Sequence, residues 1–349
     1  MIAIVDDCRR GAWDEHIDNN PGSLFFHRYG WAEALAATYD LQVFRLAAKD
    51  KAGSITGTLP LIHFSPPNAP KRLISLPYTD AAGVVAENGE TAGRLVSAAL
   101  QLALELGADH LEVRQAGLEA VGAFPSGHPQ WSSHTRHAFK TGLSRTLPSS
   151  IGALWHDLPP KVRNQVRKAR RSGYRAEIGG PELLPDFFVV FSENMRDLGS
   201  PVHDPSLFQN VADCLPCSMY VAVVFRADIP VASAILLRHR ATLFNPWASS
   251  LRRERPFCPN MLLYFTMLDF AVQMKCERFD FGRSTPNAST CRFKLQWGAV
   301  MQPLLWHVYS RPDRHWHPEG ESLIYEDWKR VSLADSCTHG PALRRWISL

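Results

Sequence analysis

The sequence contains an internal repeat of one pattern of strands and helices, and this repeat constrains the fold more than any other feature of the sequence. In the first half, a pair of strand-like runs at 42–64 is followed by a helical run at 91–107 and a strand-like run at 108–114. The second half repeats this order with strands at 219–250, a helix at 260–275 and a strand at 276–283. Leu111 and Val113 alternate along one strand as Phe279 and Phe281 do along the other, and 279 minus 111 gives an offset of 168 residues. A repeat of this length predicts two similar domains.

The length of the chain agrees with two domains, since 349 residues exceed what one hydrophobic core usually holds. We predict a first domain at 1–148, a second domain at 149–312, and a C-terminal helix with a tail at 313–349. Each domain opens with helices, one around Trp31 and one that ends at Gly199. Helices followed by a meander of strands, another helix and a further strand predict an α+β fold, whose mixed, mostly antiparallel sheet is flanked by helices.

The composition is that of a folded protein. Apolar residues make up 45% and charged residues 21%, and the net charge of +4 is too small by itself to indicate a nucleic-acid-binding protein. Neither a secretory leader nor an apolar run of roughly 20 residues is recognisable. Together with seven cysteines, an odd number that we interpret as reduced thiols, this predicts a cytoplasmic location. Cys214 and Cys217 have no second pair and predict a turn, so no metal site is expected.

Residues 161–175 form a strongly basic segment, with seven Lys or Arg and no acid. Val162, Val166 and Ala169 lie on one stripe at helical spacing, which predicts an amphipathic helix that Gly173 ends. Two interpretations remain open: a solvated face, or a surface for a phosphate-rich partner such as tRNA, a nucleotide-linked precursor or a lipid diphosphate. Acidic residues on a neighbouring segment would argue against the second. The candidate phosphate-contacting residues are Arg163, Arg167, Lys168 and Arg170.

A second basic cluster stands directly before the helix predicted at 260–275. Arg252, Arg253 and Arg255 are candidates for contacting phosphate with their side chains, and Asn260 is a candidate helix cap. An exposed, charged loop is the alternative interpretation. Residues 249–265 contain no glycine, so the sequence does not favour a close approach of the backbone to a phosphate here.

The stretch FDFGRSTPNASTCRFKLQWGA, residues 279–299, predicts a strand, a polar loop and a second strand. Alternation places Asp280 on the face opposite to the two phenylalanines, where simple solvation is the alternative to a chemical role. Trp297 is either a packed core residue or a wall against which a substrate stacks. Lys294 fits an outward lysine on a surface strand as well as it fits a functional cation.

Several stretches together resemble one family. LPPKVRNQVRKARRSGY, NMRDLGSPVH, PNMLLYF and the 279–299 stretch are similar in order and spacing to FemAB-like proteins. They are more closely similar to the subgroup associated with exosortase/PEP-CTERM systems of exopolysaccharide-producing bacteria. The similarity extends over residues 150–305, and SLPYTDAAG is the main match in the first half. The resemblance implies tandem GCN5-related N-acyltransferase (GNAT-like) domains, with the active cleft in the second.

The resemblance also implies a chemistry, the transfer of an activated acyl or aminoacyl group onto an amine of a cell-envelope, peptidoglycan or exopolysaccharide-related precursor. The donor would be aminoacyl-tRNA or acyl-CoA, and no cofactor would be tightly bound. Because the segment before the second helix lacks glycine, a plain acetyl-CoA enzyme is less favoured. A catalytically silent binding or scaffold protein of the exopolysaccharide system, built on the same fold, is the alternative.

The matched stretches also imply the candidate site residues. Lys294 stands in a Phe-Lys pair like that at the reaction centre of Fem transferases, and it is the candidate cation for stabilising an oxyanion. Asp280 and Ser284 are further catalytic candidates, for proton removal and for hydrogen bonding. The substrate-binding candidates are Arg283, Phe293, Trp297, Tyr78 and Asp80.

The C-terminal segment predicts a helix followed by an irregular tail. A packed tail is the preferred interpretation, and peripheral contact with a membrane surface is the alternative. The expected partner is a phosphate-bearing donor or acceptor: tRNA, CoA, or a nucleotide- or lipid-linked precursor. We therefore expect a cytoplasmic protein, with the inner face of the membrane as a second place of action.

Overall fold

A computed structural model describes residues 2–4, 9–116, 124–125, 128–316 and 326–348 of the chain. The chain forms two compact units. The first comprises Met1–Thr141, Gln302–Ser322 and Trp346–Leu349, and the second comprises Gly142–Met301 and Leu323–Arg345. The predicted division at 148 and 312 treats each domain as one continuous stretch, whereas the chain returns to the first unit after residue 301 and again after residue 345.

The described residues form the following elements. The helices are α1 (Arg10–Asn19), α2 (Tyr29–Tyr39), α3 (Gly89–Glu105), α4 (Ile151–Asp157), α5 (Pro160–Arg171), α6 (Leu184–Leu198), α7 (Ser206–Cys214), α8 (Pro259–Gln273), α9 (Ser289–Leu295) and α10 (Leu333–Arg344). The strands are β1 (Ile2–Ile4), β2 (Gln42–Lys49), β3 (Ile55–Phe64), β4 (Arg72–Ile74), β5 (Val85–Ala86), β6 (His110–Ala116), β7 (Ser133–His137), β8 (Thr141–Thr146), β9 (Tyr174–Gly179), β10 (Met219–Arg226), β11 (Ile229–His239), β12 (Thr242–Ser250), β13 (Arg278–Ser284) and β14 (Val300–Ser310). A short 3-10 turn, Arg252–Phe257, precedes α8.

In the first unit the strands follow the order β1-β2-β3-β4-β6-β14-β7, with the short β5 paired to β3. Neighbouring strands are antiparallel, except that β4 and β6 are parallel. Helix α3 packs against β2, β3 and β6, and it buries Leu95, Ala99 and Leu100 completely. Asn88 caps this helix, because its side chain accepts a hydrogen bond from the amide of Thr91 at 2.9 Å. Helix α3, predicted at 91–107, is thus within two residues of its predicted position.

In the second unit the order is β8-β13-β12-β11-β10-β9. The pairs from β12 to β9 are antiparallel, whereas β12 and β13 are parallel. Ser233 on β11 donates its hydroxyl hydrogen to the carbonyl of Phe187 in α6 at 3.1 Å. Its neighbours Ala232 and Ala234 point to the opposite face, into the core that includes the buried residues of α8. Helices α6 and α8 therefore cover the two faces of the sheet.

The two units repeat one arrangement down to the register of a strand pair. Leu73 pairs with Leu111 in the first unit, and Leu243 pairs with Phe279 in the second. In both units the parallel pairing ends one residue later, at Glu112 and at Asp280. The alternating residues of β6 and β13 are at most 1% exposed, as the repeat predicts: Leu111, Val113, Phe279 and Phe281. The predicted α+β fold with a mixed, mostly antiparallel sheet flanked by helices is confirmed.

The basic helix and two helix ends also agree with the sequence. Helix α5 ends before Gly173, which has a φ of +81°, and its buried residues are the predicted stripe Val162, Val166 and Ala169. Gly199 follows α6 with a φ of +78°, in the left-handed conformation that glycine adopts at low cost.

The second strand predicted in the 279–299 stretch is wrong, because the segment after the polar loop is the helix α9. Phe293 in α9 and Trp297 in the turn after it place their rings 4.9 and 6.0 Å from the ring of Tyr264. In a strand, residues four apart would share a face but lie about 13 Å apart, whereas the centroids of these two rings are 6.4 Å apart. Lys294 is therefore not an outward residue of a surface strand.

The C-terminal segment contains a packed helix. Ser332 caps α10 by accepting a hydrogen bond from the amide of Asp335 at 3.0 Å. Ser336, Gly340 and Arg344 are its buried residues. Among the described residues, none of the helices has the length and apolar character that crossing a membrane would require.

Gly83 passes so close to β6 that a side chain does not fit. An added Cβ would lie 2.1 Å from Gln115 Oε1 and 2.9 Å from the carbonyl oxygen of Arg114. We expect Gly83→Ala to lower the free energy of unfolding by about 1–3 kcal/mol, because the crowded backbone must shift. Denaturant unfolding measures this change. Gly11→Ala is the matched control, since an added Cβ at this position of α1 meets nothing within 4 Å. Equal effects of the two substitutions would contradict the account.

Candidate active site

Near the end of β13, the backbone has a positive φ at Gly282, and the carboxylate of Asp280 holds the amide of that glycine. Gly282 has a φ of +69°, and its amide donates a hydrogen bond to Asp280 Oδ1 at 2.7 Å. A side chain at this position would be strained in the left-handed region. Arg283 and Ser284 are the last two residues of β13, beyond the point at Asp280 where β12 and β13 stop pairing.

Helix α9 brings its lysine onto this turn. The ammonium of Lys294 donates a hydrogen bond to the carbonyl oxygen of Arg283 at 2.7 Å, and the lysine is half-buried. An ammonium has three N–H donors, and the bond to Arg283 fixes its position. The structure thus brings together the predicted Lys294, Arg283, Ser284 and Asp280.

The predicted aromatic residues of this region pack around α8. Tyr264 lies against Phe293, Phe281 and Trp297, with ring centroids 4.9, 5.9 and 6.0 Å away. Phe293 is half-buried, but Trp297 is 0% exposed. The expectation that Trp297 forms a wall for a substrate is therefore corrected, because the ring is enclosed in the core. Burial also raises the pKa of the Tyr264 hydroxyl, which keeps it neutral.

Ser284 carries a polar group that the chain leaves unsatisfied. It is 5% exposed, and its Oγ is buried without a hydrogen-bond partner among the described residues. A buried hydroxyl in this state costs about 1–3 kcal/mol. A bound molecule that exchanges a hydrogen bond with this hydroxyl would remove the cost, and unsatisfied groups of this kind call for such an explanation.

Arg145 supports this site, and sequence reasoning missed it. It is 5% exposed, its Nη1 donates to the carbonyl of Trp297 at 2.6 Å, and its Nη2 pairs with Asp157. The bond holds the chain just past the end of α9, where Gly298 has a φ of +79°. No local pattern marks Arg145, since its acceptor lies 152 residues away in sequence.

The cations of α5 form a surface without acids. Arg167 stacks over the ring of Trp155 and Arg170 over the ring of Phe265, each with its guanidinium carbon 5.2 Å from the ring centroid. Within the described chain, no carboxylate pairs with any cation of this helix: Lys161, Arg163, Arg167, Lys168, Arg170 or Arg171. Arg175, just beyond it, differs, since it pairs with Glu177 and Asp228. The neighbouring segments do contain acids, but they pair with other groups: Asp157 with Arg145, and Glu254 with Tyr174 and Arg226. The phosphate-binding role of α5 stays a prediction.

An open depression of about 880 Å³ lies on the same helix. Its lining is Lys161, Asn164, Gln165, Lys168 and Arg171. The amide oxygen of Gln165 is buried without a hydrogen-bond partner in the described structure. Two lysines and an arginine around an open depression suit a ligand with several negative charges.

The turn Arg252–Phe257 packs beside α5 and leads into α8. Arg252, Arg253 and Arg255 are all exposed, and Arg253 forms an ion pair with Glu193. Between them, Glu254 is buried and accepts hydrogen bonds from the hydroxyl of Tyr174 and, at 3.4 Å, from Arg226. Burial and the bond to this carboxylate raise the pKa of Tyr174 to about 12, so the hydroxyl keeps its proton and anchors the turn.

The predicted cap at Asn260 is wrong. Helix α8 begins at Pro259, and Cys258 stands at the capping position with a φ of +66° and no side-chain cap bond. Asn260 lies inside the first turn, because proline at the first helical position starts the helix one residue earlier.

Helix α8 backs both parts of the site. Phe265 lies beneath the guanidinium of Arg170, and the adjacent Tyr264 packs against Phe293 of α9. The basic surface of α5 and the helix α9 that contains Lys294 therefore pack against consecutive residues of α8, Phe265 and Tyr264. The position of either part depends on how α8 packs.

The remaining predicted residues lie outside this site. Tyr78 and Asp80 belong to the first unit, where Tyr78 is 7% exposed and has a φ of +63°. Cys214 and Cys217 are free thiols. The described residues contain no group of three or more His, Cys, Asp or Glu side chains arranged to hold a metal ion.

The elements of this site coincide with a sequence match. Residues 160–295, which include α5, α8, β13 and α9, match the profile of the family described as Acetyltransferase (GNAT) domain. This part of the second unit is therefore similar in sequence to a GNAT domain. No protein with a curated description matches the chain.

Solved structures extend the likeness in fold to both units. FemX superposes with a TM-score of 0.67 at 16% identity, over 88% of this chain and 96% of its own. The tandem GNAT protein from the clavulanic acid biosynthesis pathway gives a TM-score of 0.56 at 12% identity, over 90% and 99%. The C-terminal domain of a putative lysylphosphatidylglycerol synthetase from Agrobacterium fabrum gives 0.58 at 12%, over 85% and 90%. At these identities the likeness establishes the tandem GNAT-like fold.

The unpaired cations of α5 give a testable expectation. We expect the triple variant Arg167→Gln, Lys168→Gln, Arg170→Gln to bind deacylated tRNA at least about tenfold more weakly than the natural chain. The slope of log K against log salt should fall by about two, because each lost phosphate contact removes about 0.7 to 0.9. Fluorescence anisotropy at several salt concentrations measures both quantities. Arg175→Gln is the control, since this exposed arginine is already paired. An unchanged salt slope in the triple variant would contradict a phosphate-binding role.

Proposed function

We propose that this protein is an acyl- or aminoacyltransferase whose reaction centre lies at the turn between β13 and α9. The observation that carries the proposal is the bond from Lys294 to the carbonyl of Arg283, the residue before Ser284, whose buried hydroxyl has no hydrogen-bond partner among the described residues. The GNAT match over residues 160–295 supports the same part of the chain. The basic surface of α5 and the turn Arg252–Phe257 supplies the place for a phosphate-bearing donor.

The proposed reaction is attack of an amine on an ester or thioester. The amine nitrogen forms a bond to the carbonyl carbon, the bond from that carbon to the ester oxygen or thioester sulfur breaks, and the leaving group takes up a proton. Negative charge develops on the carbonyl oxygen, and the fixed ammonium of Lys294 stabilises it. Asp280 is the group for removing the amine proton, and Ser284 exchanges a hydrogen bond with the substrate. Arg283 binds a carboxylate or phosphate of donor or acceptor.

The donor is proposed to be aminoacyl-tRNA or acyl-CoA. Side chains, not backbone amides, would hold its phosphates, because residues 249–265 contain no glycine. Arg163, Arg167, Lys168 and Arg170 of α5 are the proposed contacts, together with residues of the following turn and helix start: Arg252, Arg253, Arg255 and Asn260. Arg253 would have to exchange its ion pair with Glu193 for the donor.

The acceptor is proposed to be an amine of a cell-envelope, peptidoglycan or exopolysaccharide-related precursor. The sequence resemblance to FemAB-like proteins and to their exosortase/PEP-CTERM-associated subgroup supports this choice. The names of the similar structures, FemX and a lysylphosphatidylglycerol synthetase, point to the same area of chemistry. We propose that the protein acts in the cytoplasm, at the inner face of the membrane where its acceptor is lipid-linked.

A catalytically silent scaffold on the same fold is the second candidate. The absence of glycine from residues 249–265 favours it, because the common phosphate cradle of the fold cannot form there. The two candidates differ in turnover. Incubating the protein with acyl-CoA and with aminoacyl-tRNA separately, in the presence of cell-envelope extract, should consume one donor if it is a transferase. Consumption of neither donor would favour the scaffold.

The role of Lys294 has a matched test. We expect Lys294→Met to lower kcat for transfer about 100-fold or more, because the oxyanion loses its cation. Lys294→Arg keeps the charge and should retain part of the rate. Arg292→Met is the control, since Arg292 is an exposed cation of the same helix that also donates to a backbone carbonyl, that of Asn287 at 2.7 Å. Rates come from single-turnover assays on variants with unchanged unfolding. Full activity in Lys294→Met would refute the mechanism.

A further inference from the structure

We propose that the first unit contains a peptide-binding site where β4 and β6 stop pairing, and that the segment Trp346–Ser348 of the same chain occupies it. In the first unit this segment therefore fills the position that corresponds, in the second unit, to the end of β13. The site recognises peptide groups, a carbonyl, a hydroxyl and an aromatic ring, and its natural occupant can be replaced by a peptide supplied separately.

Ser348 is the residue that the site binds most fully. Its carbonyl oxygen accepts hydrogen bonds from the amide of Tyr78 at 2.7 Å and from Arg114 Nη1 at 2.8 Å. Its hydroxyl oxygen accepts another from Arg114 Nη2 at 2.6 Å, and the residue is 0% exposed. Hydrogen bonds to a charged donor are the stronger kind, so Arg114 dominates the recognition.

The aromatic part of the segment has its own contact. The ring of Trp346 meets the ring of Phe64 edge to face, with centroids 5.7 Å apart. The guanidinium carbon of Arg72 also lies over the Phe64 ring, 4.9 Å from the ring centroid. The polar contacts of Ser348 and the aromatic contact of Trp346, two residues earlier, determine the orientation in which the peptide binds.

The charged groups of the site are held independently of the segment. Arg114 is 0% exposed, pairs with Glu112 at 3.1 Å, and stacks over the ring of Trp306 at 3.9 Å. Glu112 also pairs with Arg72 at 3.1 Å. Burial acts to raise the pKa of Glu112, but Arg72 and Arg114 outweigh it and lower that pKa. The carboxylate therefore stays charged and fixes the guanidinium, which is the preorganisation that a binding site needs.

The backbone of the predicted SLPYTDAAG stretch completes the site. Ser75 Oγ accepts a hydrogen bond from the amide of Arg114 at 2.7 Å, and the amide of Ala82 donates to the Arg114 carbonyl at 3.1 Å. Tyr78 has a φ of +63°, a conformation that costs about 1–3 kcal/mol for a residue with a side chain. This conformation accompanies the bond from the Tyr78 amide to the Ser348 carbonyl.

The repeat explains why this site differs from its counterpart. At the offset of 168, Glu112 corresponds to Asp280 and Arg114 corresponds to Gly282. The first unit thus places a guanidinium where the second unit has no side chain at all. With Ser348 bound to that guanidinium, the first unit offers no room for a second reaction centre, a consequence that rests on the proposed function of the β13 turn.

Peptide binding tests the proposal without any donor or acceptor. A variant that ends at Arg345 is mixed with a fluorescently labelled peptide of residues 343–349, and anisotropy is recorded. We expect saturable binding to this variant and at least tenfold weaker binding to the full chain, whose site is filled. A peptide carrying Ser348→Ala should bind about tenfold more weakly, which corresponds to about 1.4 kcal/mol. No saturable binding to the folded variant, or equal binding to the full chain, would overturn the proposal.

A stability measurement on the full chain serves if the shortened variant does not fold. Ser348→Ala should lower the melting temperature by about 3 °C or more, because Arg114 loses a hydrogen-bond acceptor. Ser336→Ala is the matched control: it is also 0% exposed, but its hydroxyl has no hydrogen-bond partner among the described residues. Equal shifts for the two variants would count against recognition of Ser348. Because neither experiment measures transfer, an inactive protein with a working peptide site is distinguishable from the reverse.

Discussion

The parallel pairing of β12 with β13 lasts for three residues and ends at Phe244 and Asp280, and the candidate site depends on that end. Beyond it, the backbone of β13 no longer has β12 as its partner and turns at Gly282. Asp280 accepts a hydrogen bond from the Gly282 amide, and Lys294 donates one to the Arg283 carbonyl, so side chains bond two backbone groups of β13 beyond this point. In the first unit the same short ladder ends at Glu112, and Arg114 with Ser348 fills the corresponding position.

Helix α8 connects this turn to the charges of the second unit. Its residues from Met261 to Phe265 are at most 5% exposed, so this part of the helix is interior support rather than surface. Five of the six cations of α5 have another cation at i, i+3 or i, i+4 and repel it, and no carboxylate of the described chain pairs with them. Cation–π contacts with Trp155 and Phe265 relieve part of the cost. The remaining cost is consistent with a surface that a phosphate-bearing molecule completes.

The sequence predicted what local periodicity determines. Alternation in β6 and β13, the apolar stripe of α5 and the glycines that end helices follow from near neighbours, and all are present. Helix α9 was missed because Phe293, Lys294 and Leu295 alternate like a strand, and residues four apart share a face in a strand as well as in a helix. The packing of Phe293 and Trp297 against Tyr264 involves a residue about 30 positions away in sequence. Arg145 and the bond between Arg114 and Ser348 join residues 152 and 234 positions apart, which no local pattern can indicate.

The most direct test of the account is hydrogen–deuterium exchange of the natural chain with deacylated tRNA and, separately, with CoA. If the second unit binds the donor on its basic surface, one of these ligands slows exchange in α5 and in the 252–257 turn. In a further sample with a non-hydrolysable acylated form of the ligand that binds, exchange in the 280–294 segment should slow. Exchange in segments 72–78 and 110–116 of the first unit should stay unchanged in every sample. Protection confined to those first-unit segments, or none with either ligand, would contradict the claim that the second unit carries the reaction.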